Sequence, residues 1–520
     1  MDKKLHEVES FQLFSESKIW QLNRDYYQDI GIEAWSEGEV PHQITSNSLV
    51  GKTYSELILG FLKDLADKGE TKETVYIIEL GAGHGRLAFH ILKHLERLIA
   101  LHNSELPPFC YVLSDIVEKN LHFFKNHTQF QSYYKRGILD YAYYDAIGGT
   151  DLHLRYADLH VKAGELKQPI LAIANYFFDS IPNDLFYIKE KELAVCSIAL
   201  HSAEHPLMQE TDLLLKSLEL TYREKSVANS YYSSVILDEM LEDYRLKLKE
   251  SYFFFPEKSI LCLKNLKALS SKGLMLLSMD KGYHNIANIN NRNKPEIITH
   301  GSFSLWVNYH ALGSYCEKTG GKILFPSYST FHLEVGCFLF LENADSFSAT
   351  NGAYQRYVND FGPDDYNSIK KLAYANISKL TLRDLLALTR LSFYDSTMFL
   401  KIIPRIKKMA KSITHEERER LAQTLHLVWG LYFNINESED LALTIAGIFF
   451  DLGYYEYALD FYQNSTDVYG VEADTCYNKA LCYYQLRQDV LFKGLLKEAD
   501  ELFPDSDVFD SLHKLDLSAV

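Results

Sequence analysis

The chain is poor in residues that break up folded structure. Only 12 prolines and 26 glycines are spread over 520 residues, which argues against extensive disorder. It also lacks any C-x-x-C pair. The seven cysteines (110, 196, 262, 316, 337, 476 and 482) are scattered, so neither a zinc ribbon nor thioredoxin-type chemistry is indicated. No apolar run is long enough to span a bilayer. The opening MDKKLHEVESFQLF carries no apolar signal core. The expectation is a cytoplasmic protein with no membrane partner. Positive charge is in deficit: 53 Lys and Arg against 70 Asp and Glu leave a net charge of −17. That excess repels phosphate backbones, so no nucleic-acid partner is expected. It suits solubility or a basic protein partner.

What is present is a globular composition, 47% hydrophobic and 24% charged, with room for roughly three domains. Residues 1–70 read as a helical segment, with Asn47, Ser48 and Thr53 punctuating the start of the amphipathic stretch YSELILGFLKDLADKG. Between 71 and 350 short apolar runs alternate with helical stretches. The runs are VYIIEL (75–80), CYVLSD (110–115), LHLRYAD (152–158), ILAIAN (170–175), LMLLSMD (274–280) and FHLEVGCFLF (331–340). This alternation predicts an α/β, doubly wound, mainly parallel sheet with helices on both faces. Residues 201–256 read as an inserted helical segment. From 366 to 520 helical periodicity takes over. At a period of 34, Ala446 aligns with Ala480, Phe449 with Tyr483, Gly453 with Arg487 and Tyr462 with Leu496. The expectation is a helix–turn–helix array resembling tetratricopeptide repeats.

The most informative stretch is Glu79-Leu80-Gly81-Ala82-Gly83-His84-Gly85-Arg86, between the first apolar run and a helical segment. Glycines permit a tight turn and close backbone approach to a ligand, and the following helix offers free N–H groups. A dinucleotide fingerprint needs its third glycine at position 86, where this chain has Arg. G-x-G-x-G behind an acidic strand end fits S-adenosylmethionine instead, whose ammonium and sulfonium Glu79 can face. Gly81, Ala82, Gly83, Gly85 and Arg86 are then cofactor-binding candidates. Asp115, at the second strand end, is placed to take the ribose hydroxyls, and Asp158, read as the third strand end, to take the adenine amino group. The fourth strand ends in Asn175-Tyr176-Phe177-Phe178-Asp179. Here Asp179 is the candidate to orient an acceptor nitrogen and take its proton, with Asn175 holding the loop, the acceptor or the cofactor. His84 and His310 fall near site loops. Gly51-Lys52-Thr53 ends like a phosphate loop but has Ser46 where the leading glycine belongs. No metal-ligand set is expected.

Several segments together resemble the MidA-like family of class I methyltransferases, which includes an arginine-methylating mitochondrial assembly factor. They are PHQITSNSLVGKTYSELILGFL with its Thr45-Ser46 pair, IELGAGHGRLAFHIL, ANYFFDSIPNDLF, GLMLLSMDKGY with Asp280, Gly282 and Tyr283, and HGSFSLWVNYHALGSYCEKTGG. The likeness covers roughly residues 40–340. It implies a Rossmann-like methyltransferase fold with S-adenosylmethionine as cofactor; separately, by fold analogy with peptide-binding tetratricopeptide arrays, the helical repeats are expected to dock a protein substrate. One position departs: the family has Asn-Glu where this chain has Asn175-Tyr176. A carboxylate there pairs with a guanidinium and tyrosine does not. The acceptor therefore stays open among arginine, another protein nitrogen and a small molecule, and an adaptor without catalysis is a further reading.

Overall fold

A computed structural model describes residues 5–515, apart from 37, 39, 41, 103–104, 204–210, 228–229, 296–297, 301 and 332. Its contacts divide the chain into two units, Met1–Ser368 and Ile369–Val520.

The first unit is built on a seven-stranded sheet. Across it run Lys322–Leu324, Glu334–Phe340, Leu274–Asp280, Ile170–Asn175, Val75–Leu80, Phe109–Asp115 and Leu139–Tyr143. The last five are parallel, and Glu334–Phe340 runs antiparallel to both its neighbours. Strands covered on both faces must be apolar on both, so they read as unbroken hydrophobic runs. Leu274–Asp280 is buried at every position. From Val75–Leu80 the chain steps outward through Phe109–Asp115 to Leu139–Tyr143, then returns to Ile170–Asn175 on the other side. The order thus reverses between Val75–Leu80 and Ile170–Asn175. At such a point the flanking connections diverge and leave a crevice beyond the strands' carboxyl ends.

The third parallel strand is not the one expected. LHLRYAD does not join the central sheet; Leu152–Leu154 instead pairs with Leu159–Val161 in a small hairpin. Leu139–Tyr143 takes the sheet position, and its buried Asp140 breaks the apolar signal. That carboxylate accepts from Tyr156 N at 2.9 Å and Ala157 N at 3.0 Å, which offsets its burial.

The wholly helical reading of residues 1–70 is also corrected. Helices Ile19–Ile30, Glu33–Ser36 and Ser48–Asp67 are present, but His6–Leu13 is a strand. It pairs antiparallel with Glu192–Ser202 in a second sheet with Asp184–Lys189, Glu250–Phe255 and Leu218–Ser226. The span 201–256 is accordingly mixed: helices Thr211–Ser217 and Val235–Lys247 accompany two of those strands. Phe14, Ile19, Trp20 and Tyr26 pack against Leu185, Cys196, Ile198 and Leu200 of this sheet.

Helix Ser48–Asp67 carries two features that hold the unit together. Asn47 caps it by accepting from Val50 N at 3.0 Å. Near its other end buried Asp64 accepts from Ala349 N, Thr350 N and Thr350 Oγ1 at 2.9, 2.8 and 2.7 Å, fixing the start of helix Ser348–Tyr354. Gly51 has a packing role: a Cβ there would lie 2.4 Å from His90 Cβ, on helix Arg86–Ala100.

The second unit is helical. Its core is formed by Leu385, Phe399, Ile402, Leu421, Leu425, Ile445 and Phe449, with a smaller cluster around Ala480, Phe492 and Leu496. Thr381 and Thr414 start helices with reciprocal bonds to Asp384 and Glu417. Ala446 and Ala480, 34 residues apart, are both fully buried, and Gly453 and Arg487 both take positive φ, +80° and +56°. Among the described residues no helix is long and apolar enough to cross a membrane.

Gly51→Ala is expected to destabilise the protein by about 1–3 kcal/mol through overpacking. Thermal unfolding unchanged from the parent would show that the two helices can separate without cost.

Candidate active site

The strand Val75–Leu80 delivers Glu79 into the turn at the switch point. Gly81, Gly83 and Gly85 take φ of +59°, +59° and +75°, a region L side chains rarely adopt. At Gly83 a second constraint applies, because a Cβ would sit 3.0 Å from the indole of Trp35. The turn is tied to the neighbouring strand by Ala82 N to Ser114 O at 2.9 Å. Gly83 N donates to Asp115 Oδ2 at 2.9 Å. Asp115 also accepts from Val117 N on Oδ1 and from Asn120 Nδ2 on Oδ2, at 3.0 and 3.1 Å.

Above this turn lies a cavity of about 540 Å³. Glu79, Gly81, Ala82, Gly83, Asp115, Asn175 and Asp179 line it together, as do Tyr176 and His84. Gly85 and Arg86 do not. Gly85 turns toward Phe130, which a Cβ would meet at 3.1 Å. Arg86 is buried at the helix start with Nη1 3.2 Å from His42 Nε2. Asp158 is also outside the cavity. It sits in the turn of the small hairpin with φ of +52° and an 89% exposed side chain beside His153. The assignment of Asp158 to an adenine-facing strand end fails because its strand is not in the central sheet. His310 likewise lies elsewhere, 2.8 Å from the Tyr244 hydroxyl.

Asn175 is structurally committed. Its Oδ1 accepts from Tyr54 OH at 2.7 Å and Met279 N at 3.1 Å, and its Nδ2 donates to Thr45 O at 3.2 Å. One side chain thus joins the strand end, its neighbouring strand and the segment before helix Ser48–Asp67. The next residue, Tyr176, takes φ of +47°, unusual for a bulky side chain.

Other wall residues carry no local signal in the sequence. Tyr27 and Trp35 stack at 5.8 Å, and Trp35 meets His84 edge-on at 5.6 Å. Tyr27 OH donates to Ser302 Oγ at 2.9 Å. Lys281 and Phe177 also face the cavity. Thr45 and Ser46 line it too, and for these the resemblance to the methyltransferase family is a usable signal.

Burial dominates the electrostatics. It pushes the Glu79 carboxyl up to about 8; the Tyr111 hydroxyl, 2.8 Å away, opposes this and the Asp115 charge adds to it. Asp179 is raised to about 6 by burial, against the Ser180 hydrogen bond and the Lys281 charge. Asp280, fully buried, is raised well above the usual carboxylate range by burial and by Asp179. Burial, with Arg86, lowers His42 to about 3; burial, then His42 and Arg86, lowers His84 far below its usual range. The histidines are therefore neutral, while the carboxyls pay for being charged unless a cation faces them. A ligand carrying ammonium and sulfonium groups suits this wall, and the left-handed glycine turn leaves its backbone open to close approach.

Residues 59–295 match a family described as "Putative S-adenosyl-L-methionine-dependent methyltransferase". Two solved structures of one superfamily from Burkholderia thailandensis resemble the chain. Both are 12% identical to it and cover 65% of this chain and 90% of their own, with TM-scores of 0.40 and 0.42. The second was crystallised with S-adenosyl-homocysteine bound. No curated protein matches the chain. The family match spans the central strands from Val75–Leu80 to Leu274–Asp280 and with them the glycine turn and the strand-end acids of the cavity. The matched residues end before the helical unit begins.

Gly83→Arg is expected to displace Trp35 and fill the cavity. Affinity for S-adenosyl-homocysteine, measured by calorimetry, should fall at least about tenfold; unchanged affinity would remove the glycine turn from the binding site.

Proposed function

We propose that this protein transfers a methyl group from S-adenosylmethionine to a nitrogen of a protein side chain, arginine or another, with the helical unit docking the substrate protein. The observation that carries the reading is the convergence of the glycine turn with Asp179 in one cavity. Gly81, Ala82, Gly83, Glu79 and Asp115 hold the cofactor, which supplies an electrophilic methyl on a sulfonium when bound. Glu79 faces the cationic part of the ligand, and Asp115 the sugar.

Asp179 orients the acceptor nitrogen and takes its proton. A base poised near the working pH is efficient, and burial has moved Asp179 toward it. Tyr176 leaves no carboxylate where the family has Glu. Asp179, which lines the cavity, supplies the negative charge that a cationic acceptor needs. Asn175 acts by position rather than by chemistry, since its amide is spent on Thr45, Tyr54 and Met279. With the methyl donor seated in the cavity, the enzyme's remaining task is alignment. In the helical unit, the shared environments of Ala446 and Ala480 and of Gly453 and Arg487 support a tetratricopeptide-like array. Such arrays bind peptides along stacked helices, an analogy at the level of fold. Tyr176 favours one other reading, a methyltransferase-fold adaptor that binds cofactor without turnover.

Labelled methyl transfer to a single protein band in lysate is the direct test; cofactor binding without transfer to any species would favour the adaptor. Asp179→Asn is expected to lower transfer by about 10²–10⁴-fold while S-adenosyl-homocysteine still binds. Parent activity should fall as pH drops through about 6, because Asp179 must be ionised to accept a proton. A rate that is flat from pH 5 to 7 would exclude it as the base. Binding of the cationic cofactor should draw Glu79 toward ionisation and, at pH 7, release about one proton. Calorimetry in buffers of different ionisation enthalpy measures this release; Glu79→Gln should abolish it.

A further inference from the structure

The hairpin that displaced the expected third strand carries a cluster with no part in the cavity. Its strands, Leu152–Leu154 and Leu159–Val161, pair antiparallel with His153 directly opposite His160. Residues opposite one another leave the same face of a hairpin. Their imidazoles accordingly lie face to face, with ring centres 3.9 Å apart and planes 7° from parallel. Asp158, held at φ of +52° in the connecting turn, brings Oδ1 to 3.1 Å from His153 Nε2. One ligand atom from each of the three residues lies within 4.8 Å of the others.

The backbone that carries them is fixed from below. Buried Asp140 accepts from Tyr156 N and Ala157 N, the two residues before Asp158. Arg155 N donates to Tyr141 O at 2.9 Å, and its guanidinium grips Glu118 through two bonds of 2.7 Å. The Tyr156 ring stacks on Tyr134 at 4.9 Å. Leu152, Leu154 and Val161 are buried under the hairpin. A rigid backbone that holds three donor side chains side by side removes part of the ordering cost of ligation, and the stacked imidazoles need only turn out of their parallel arrangement to face one ion.

Two imidazole nitrogens and one carboxylate oxygen form a donor set suited to zinc and its neighbours, unlike the all-oxygen sets of calcium or magnesium. With bonds of about 2.0–2.2 Å, tetrahedral ligands stand about 3.4 Å apart. The His153–Asp158 separation already meets this. No pair stands more than 4.8 Å apart, so the remaining spacings need close by at most about 1.4 Å, within reach of side-chain rotation at His160, which is exposed. We propose that this hairpin binds one divalent transition-metal cation of the zinc class, with His153, Asp158 and His160 as its protein ligands and water completing the shell. The site is separate from cofactor binding, because none of the three residues lines the cavity.

The test is calorimetric titration of the full chain with zinc chloride alone. Parent protein should take up one equivalent at this site. The His153→Asn/His160→Asn double variant should lose that equivalent. Asp158→Asn should weaken it at least about tenfold. Comparing parent with variant isolates the hairpin from the other histidines. S-adenosyl-homocysteine affinity should be the same in all three proteins, which also shows that the variants are folded; should the double variant unfold, His160→Asn alone gives the same readout. Absence of zinc uptake by the parent at about 100 µM metal, or equal stoichiometry and affinity in parent and variant, would overturn the proposal.

Discussion

Everything at the site depends on a backbone turn that only glycine tolerates. From Gly81 to Gly85, alternate residues adopt the left-handed conformation, so the chain leaves one strand and enters a helix within five residues. The turn sets the position of Gly83 N, which meets Asp115, and of the glycine face against which Trp35 lies. The N-terminal helices can therefore approach the carboxyl ends of the central strands closely enough to wall a cavity. A methyl group at position 83 would disturb both the turn and the wall.

The second constraint is charge. Glu79, Asp115, Asp179 and Asp280 are buried around one crevice, and burial raises all four. No single one of these acids identifies the chemistry; together they make the crevice receptive to a positive ligand and able to hold a proton. The neutral His42 and His84, which also line the cavity, keep that bias from being cancelled. In the proposed function, recognition of a sulfonium cofactor and removal of a proton from the acceptor nitrogen would draw on the same electrostatic arrangement.

The parallel strands nearest the switch point were legible because both of their faces are covered, and hydrophobic runs such as VYIIEL and LMLLSMD announce that condition directly. Leu139–Tyr143 was not, since buried Asp140 interrupts its run and owes its place to amides 16 and 17 residues further on. Asp158 reads as a strand end for the same reason, although it lies in the hairpin turn. His6–Leu13 has little local signature, because its partners lie near residue 200 and pairing at that distance leaves little local trace. The glycine turn and the acids at true strand ends were readable from local pattern. Tyr27, Trp35 and Lys281 were not, because only tertiary folding brings them to the cavity.

The Asp64 clasp has a bearing on how the molecule is made. The carboxylate lies in a helix that precedes the whole central sheet, yet its donors, Ala349 and Thr350, are 285 and 286 residues later. A ribosome needs on the order of 15–60 s to bridge that interval. Until then the nascent chain holds a carboxylate without its native partners and a helix face whose covering segment has not been synthesised. Such an intermediate is a natural client for a chaperone, and slower translation would lengthen its exposure.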